Sequence, residues 1–149
     1  MNWIVIVIVI VIVGLFTWWW RGKNALMRTA ALAVGAHTFT VEVADTIPLR
    51  AQGLSGREKL EENHGMLFLF TTAGRHPFWM KGMKFALDFV WMYGDKVVGT
   101  TENVPPPKGS LFSLPIYYPP EEVDMVLEVN AGTVARLGIH EGDVVEWGK

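Results

Sequence analysis

Apolar and polar positions alternate over residues 37–44, with Phe39, Val41 and Val43 on one parity and Thr40 and Glu42 on the other. That period of two predicts a strand with one buried face. Over residues 65–70 both parities are apolar, Met66, Phe68 and Phe70 against Leu67 and Leu69. Residues 87–93 repeat the pattern, with Leu87, Phe89, Trp91 and Tyr93 alternating with Asp88, Val90 and Met92. Apolar faces on both sides predict a central strand covered twice. Asp88 is the polar exception, and a buried carboxylate needs a cation or hydrogen-bond donors, or it gives up its charge. Lys81, Lys84 and Trp79 lie just upstream, so a carboxylate, an ammonium and an indole are expected close together; the plainer alternative is a structural ion pair.

Turn residues join these runs. Residues 71–76 are expected to turn around Gly74, and residues 77–80 to be short and extended. Gly94-Asp95 predicts a tight hairpin into residues 96–104. Pro105, Pro106 and Pro107 then end sheet pairing, and a loop runs to residue 122. The loop carries Leu111, Phe112, Leu114, Ile116, Tyr117 and Tyr118, so it is expected to pack over a barrel mouth or wrap an edge. Residues 123–129 predict a strand with Val123, Met125, Leu127 and Val129 on one face and Asp124 and Glu128 on the other; residues 144–147 predict a last strand. Residues 49–52 read as a short helix, capped by Asp45 or Thr46, with Pro48 in the first turn and Gly53 at its end. Residues 131–137 read as a second, capped by Asn130 and ended by Gly138. The fold class is therefore mainly β (α+β): a small barrel-like domain of six or seven mostly antiparallel strands with two short helices.

The first residues follow another rule. Residues 3–20 carry no charge and, as a helix, span about 27 Å, close to the hydrocarbon thickness of a bilayer. Lipid leaves the backbone no external partner, so a helix is expected despite the Ile/Val alternation. Trp3 and Trp18-Trp19-Trp20 suit the two interfaces, and Arg21 and Lys23 close the segment. A cleaved signal would show a basic start and a small-residue cleavage site soon after the apolar run, and neither is present. The expected division is an anchor at 1–22 in the lipid bilayer, a juxtamembrane helix or tether at 23–36, and one globular domain at 37–149. Arg21, Lys23 and Arg28 after the span would hold that domain on the cytoplasmic side by the positive-inside rule.

Charge and motifs narrow the chemistry. All fifteen acidic residues lie at or after Glu42, against ten basic ones, so the globular part has a formal charge of 10 − 15 = −5. A nucleic-acid partner would need a basic footprint, so none is expected. With no cysteine, thiolate chemistry and disulfides are absent. His37, His64, His76 and His140 have no metal-ligand spacing, so no metal or cofactor is expected. No nucleophile elbow, phosphate loop or dinucleotide fingerprint appears, and Ser55 stands in a glycine turn without an evident histidine–carboxylate pair. Arg50, Arg57, Arg75, Lys81 and Arg136 can form an anion-binding cluster or pair with acidic residues around the barrel.

An ordered set of short pieces carries a resemblance: Val43-Ala44-Asp45-Thr46, Arg50-Ala51-Gln52-Gly53-Leu54 with Arg57, Gly65-Met66-Leu67-Phe68, Phe78-Trp79-Met80-Lys81, Leu87-Asp88, Leu127-Glu128-Val129-Asn130-Ala131-Gly132, and Gly138-Ile139 with Gly142-Asp143. The chain resembles domain-of-unknown-function family 192 of prokaryotes. The resemblance implies a small, mostly β, barrel-like domain, often behind a signal or lipid anchor, and hence an extracytoplasmic place; it brings no established activity. Weighed against the charge flank, it tips the expectation to the outer side of the membrane. The family's F-W-M-K-N-T motif departs here to Gly82-Met83. Matching positions nominate Arg50, Arg57, Trp79, Lys81, Asp88 and Glu128 as ligand-binding residues, and no catalytic residue is assigned. The expected function is a membrane-tethered module that binds a small or extended ligand, or an envelope protein. The alternatives are a hydrolase- or lyase-type enzyme using Asp88 with Lys81 or Arg57, and a structural assembly factor.

Overall fold

Three strands that are buried on both sides organise the molecule, because each needs a cover on each face. The computed structural model describes residues 27–108 and 114–147. The expected anchor at 1–22 and loop residues 109–113 lie outside the described residues. Strands β1 (Thr29–Val34), β2 (His37–Ala44), β3 (His64–Gly74), β5 (Leu87–Tyr93), β6 (Lys96–Val104), β8 (Val123–Asn130) and β9 (Val145–Trp147) form one sheet in the order β6-β5-β8-β3-β2-β1-β9. Strands β4 (Phe78–Trp79) and β7 (Ile116–Tyr117) pair separately. Helix α1 (Ile47–Gln52) connects β2 to β3, and α2 (Thr133–Leu137) follows β8.

The sheet is mixed. β2 and β3 run parallel, with Val43 opposite Leu67, and the other neighbours are antiparallel. A parallel neighbour needs a crossover rather than a hairpin, and α1 with the segment after it supplies that path. Register shifts between Leu69 and Gly74 in β3, and at two places along β5, curl the sheet into a half-barrel. The ends of the sheet meet at one corner: the Val97 amide donates to the Asp143 carbonyl (2.9 Å), the Val145 amide to that of Asp95 (2.8 Å), and Lys96 bridges Val144.

Leu87 through Met92 are buried throughout, as two-sided burial of β5 requires. On the inner side, Leu32, Phe39, Val41, Leu67, Val90, Met92 and Leu127 pack with Val134 and Ile139 of the α2 segment. On the outer side, Met66, Phe68, Leu87, Phe89, Trp91 and Val126 pack under Leu54, Phe78, Met80 and Met83. Phe78 is the aromatic hub of that layer, with ring centroids 5.0 Å from Phe68, 5.5 Å from Trp91 and 5.7 Å from Phe89.

Several expectations change. Residues 29–34, expected in the tether at 23–36, form β1 and pair with β2 along its length, so the domain includes them rather than beginning at residue 37. The expected turn at 71–76 is strand through Gly74. Ile116–Tyr117, expected as loop, is β7. Nine strands are present among the described residues, in a curled half-barrel with a small second sheet. Thr46 caps α1 as expected, its hydroxyl accepting from the Leu49 amide at 3.4 Å. Asn130 does not cap α2; its side chain donates to the Leu60 carbonyl at 2.9 Å.

The cap of α2 comes from elsewhere. Gly132 holds the N-cap position and has no side chain to offer. Asp88, fully buried on the inner face, accepts the Val134 amide at 2.9 Å and the Asn103 amide at 2.8 Å. Each oxygen thus meets one backbone amide, and one of those amides belongs to the first turn of the helix. Asp88→Ala leaves two amides without their acceptor and is expected to cost about 3 kcal/mol. Asp88→Asn, which retains one acceptor oxygen, is expected to cost about half of that. Urea midpoints measure both, and faster exchange at the Val134 and Asn103 amides locates the damage; wild-type midpoints in both variants would remove this role.

Candidate functional site

Period-two alternation builds one wall of the site. Phe78 and Met80 are buried, while Trp79 and Lys81 between and beyond them are exposed. Trp79 lies opposite Ile116 across the β4–β7 pair, and Phe78 opposite Tyr117, whose ring is 5.8 Å from Phe89. The segment 77–83 is thus a flap pinned by Phe78. Helix α1 forms the facing wall. Arg50 ties it down: its Nη1 donates to the carbonyls of Asp45 and Leu69, both at 2.8 Å. The Arg50 guanidinium lies 5.1 Å from the Phe70 ring centroid, and Phe70 is stacked on His76 at 3.7 Å.

Between α1 and the flap is a cavity of about 120 Å³, lined among others by Arg50, Ser55, Trp79, Lys81, Met83 and Glu128. That is the volume of about four water molecules. Glu128 enters from the sheet, where it stands opposite Met66 on one side and Phe89 on the other. Gly65 lets β3 approach here, since a Cβ on it would meet the Glu128 carbonyl at 2.8 Å.

Two carboxylates on this face meet different fates. Glu42 also stands opposite Met66, on β2. Arg57 holds it through two hydrogen bonds, 2.5 and 2.7 Å, which keep the Glu42 carboxyl below its ordinary range and raise the Arg57 guanidinium. Glu128 is 5% exposed, and among the described residues no hydrogen bond or ion pair reaches its carboxyl. Burial alone pushes it up from an ordinary 4.5 to about 8.

Four of the six expected site residues, Arg50, Trp79, Lys81 and Glu128, therefore share one cavity. Two do not. Arg57 is engaged by Glu42 outside the lining. Asp88 lies on the inner face with Val90 and Met92, across the sheet from the cavity, so the expected cluster of Asp88 with Lys81 and Trp79 is not formed. Of the other cations considered, Arg75 donates to the Pro119 carbonyl and Arg136 lies 3.6 Å from Glu62. Among the described residues Lys81 has no ion-pair partner, whereas its neighbour Lys84 pairs with Glu58. Ser55 and Met83, which no sequence pattern marks as site residues, also line the cavity. Among the described residues no group of three or more histidine and carboxylate side chains is placed to hold a metal ion.

A family model described as "DUF192: Uncharacterized ACR, COG1430" matches residues 30–147. The chain belongs to this family. Two crystal structures are similar to this DUF192 chain. One, described as a "putative transcription regulator" from Sinorhizobium meliloti 1021, is 33% identical over 81% of this chain and 95% of that one, with a TM-score of 0.73. The other, a protein of unknown function from Novosphingobium aromaticivorans DSM 12444, is 30% identical over 83% of this chain and 88% of that one, with a TM-score of 0.75. Among curated proteins none matches this chain.

The departure from the DUF192 flap motif has a local reading. Gly82 is in the left-handed region (φ +71°), which glycine and asparagine both tolerate, so Gly for Asn keeps the turn. A Cβ there would lie 2.1 Å from the Ser55 hydroxyl, so Gly82 also leaves Ser55 its place. Met83 puts an apolar side chain in the cavity wall where the motif has threonine.

The position of Glu128 has a consequence for stability. Its folded-state pKa is raised, so the unfolded chain gives up this proton first as pH rises. Stability from this group is greatest below about pH 4.5, falls by at most about 1.4 kcal/mol per unit up to about pH 8, and is level above that. Glu128→Gln removes the slope. Urea midpoints of both proteins are therefore expected to diverge in favour of the variant between pH 5 and 8; parallel curves would show an ordinary carboxyl.

Proposed function

We propose that this protein is a membrane-tethered ligand-binding module of the cell envelope, anchored by residues 3–20, with its domain on the outer side and its binding site in the cavity between α1 and the flap. One observation carries the reading: a cavity with two cationic side chains, an exposed tryptophan and a carboxyl, on a residue only 5% exposed, that lines it without a hydrogen bond or ion pair to any described group. Polar groups buried for structure are ordinarily hydrogen-bonded within the protein, as Asp88 is here. A cavity of apolar walls with a few convergent polar groups is the usual form of a small-molecule site.

The other readings have less support. An Asp88-centred hydrolase or lyase would need that carboxylate in the cavity, and both of its oxygens are engaged on the far side of the sheet. The description of the Sinorhizobium relative suggests nucleic acid, yet the −5 charge from residue 37 onward gives no basic footprint. An assembly role would leave the cavity unused.

A thermal-shift screen of the full chain in lipid nanodiscs tests the proposal, with sugars, organic anions, amino acids, nucleotides, peptides and divalent metals as the panel. A ligand at one hundred times its dissociation constant adds about 2.7 kcal/mol, which moves the midpoint of a domain this size by several degrees. The expected result is a hit in the wild type that Lys81→Ala or Glu128→Gln weakens. No hit across the panel, or a hit indifferent to both variants, would move the function away from this cavity. Protease added to intact spheroplasts is expected to degrade the domain, and protection there would put it on the inner side.

A further inference from the structure

We propose that the cavity binds a small amino-carboxylate, with the ligand's ammonium group on Glu128 and its carboxylate on Lys81 and Arg50. This rests on the reading of the cavity as a binding site and names the ligand class.

The argument starts from what surrounds Glu128. Its neighbours in register are Met66 of β3 and Phe89 of β5, both uncharged. The ionisable groups sharing the cavity are Arg50 from α1 and Lys81 from the flap, and Ser55 adds a hydroxyl. Arg57, on the same side of the sheet, is held by Glu42. Glu128 is almost fully buried, while Lys81 is exposed, so the carboxyl is at the floor and the ammonium at the rim. Burial raises the floor carboxyl, and among the described residues no ion pair joins it to either cation.

Charge then selects the ligand. A plain anion gains from Lys81 and Arg50 but leaves the protonated floor carboxyl without an ionic partner. A plain amine gains from Glu128 but must pass the exposed Lys81 ammonium at the rim and leaves both cations without an anion. A sugar leaves both cations without an anionic partner. A molecule with an ammonium at one end and a carboxylate at the other meets an opposite charge at each. Charge-assisted hydrogen bonds at both ends are stronger than neutral ones, and they fix the ligand's direction. The apolar walls, Phe68, Phe78, Met83 and the Trp79 face, suit the carbons between the two charges. A cavity of about 120 Å³ admits a small amino acid, with any excess leaving past Trp79.

Binding carries a proton signature. The ligand enters as a zwitterion, and the Glu128 carboxyl releases its proton to solvent as the carboxylate pairs with the ammonium. Isothermal titration of the full chain in nanodiscs, at about pH 6.5 in two buffers of different ionisation enthalpy, reads that proton directly. The probes are glycine, β-alanine and 4-aminobutyrate, whose charges are increasingly far apart; acetate, propionate and ethylamine are the controls. At least one amino-carboxylate is expected to bind about tenfold or more tighter than any control, releasing about one proton. Glu128→Gln is expected to lose both the affinity and the release, and Lys81→Ala to lose affinity but keep the release, with thermal midpoints showing that both variants fold.

Acetate binding as tightly as the amino-carboxylates, with no proton released and wild-type affinity in Glu128→Gln, overturns the assignment and leaves an anion site, so the binding function stands. Silence from all six probes also overturns it. A hit of another class in the wider screen then preserves the cavity as a binding site, and silence there as well removes both readings.

Discussion

Two-sided burial is the constraint from which the rest of the structure follows. A sheet of this size cannot leave the outer faces of β5, β8 and β3 in water, so it must carry two covers: the α2 segment inside the curl, and α1 with the flap outside. Covers this short have little stability of their own, since helices of five or six residues are far below the length at which a helix persists alone. They stay because charged groups clamp them. Asp88 accepts the first-turn amide of α2, Glu42 holds Arg57 in the segment after α1, and Arg50 ties α1 itself to β3. Of the carboxylates these central strands bury, Glu128 clamps nothing among the described residues, and it faces the cavity that the outer cover leaves.

Much of this was legible in residue order. Alternation over 37–44 and the doubly apolar run at 87–93 gave those strands their true bounds, because side-chain parity is a direct record of which face is buried. β1 escaped notice for a physical reason. Thr29, Ala31 and Ala33 sit on the more exposed parity and Leu32 and Val34 on the buried one, but alanine on the outward side erases the contrast that alternation depends on. β7 is two residues long in an apolar loop and owes its form to pairing with β4, which no local pattern records. The parallel pairing of β2 with β3 is likewise a fact of the crossover and not of either strand.

The candidate site was legible in its residues and not in its grouping. Trp79 and Lys81 share a parity, and Phe78 and Met80 take the other, so the flap could be read as it stands. Asp88 could not, because nearness in sequence says nothing about sides of a sheet: its parity belongs with Val90 and Met92, opposite the flap. Alternation sets Glu128 on a face with Asp124, which reads as solvent. Val126 lies between them on that same parity, and it is buried. An apolar residue between two acids on one face was the available sign that the face is covered and that one of the acids is covered with it.

Glu42, half-buried, and Glu128, almost fully buried, differ in both burial and partners. Both stand opposite Met66, one strand away on either side, on the same face. Arg57 reaches the first and keeps it ionised; nothing described reaches the second, and its proton stays on at neutral pH. Methionine or glutamine would fill the same space without the penalty of an ionisable group in a poorly solvated place, and replacing buried charge by apolar groups is often neutral or stabilising. Folding therefore gives no reason for a carboxyl at position 128, and the cavity above it supplies the one reason that the geometry offers.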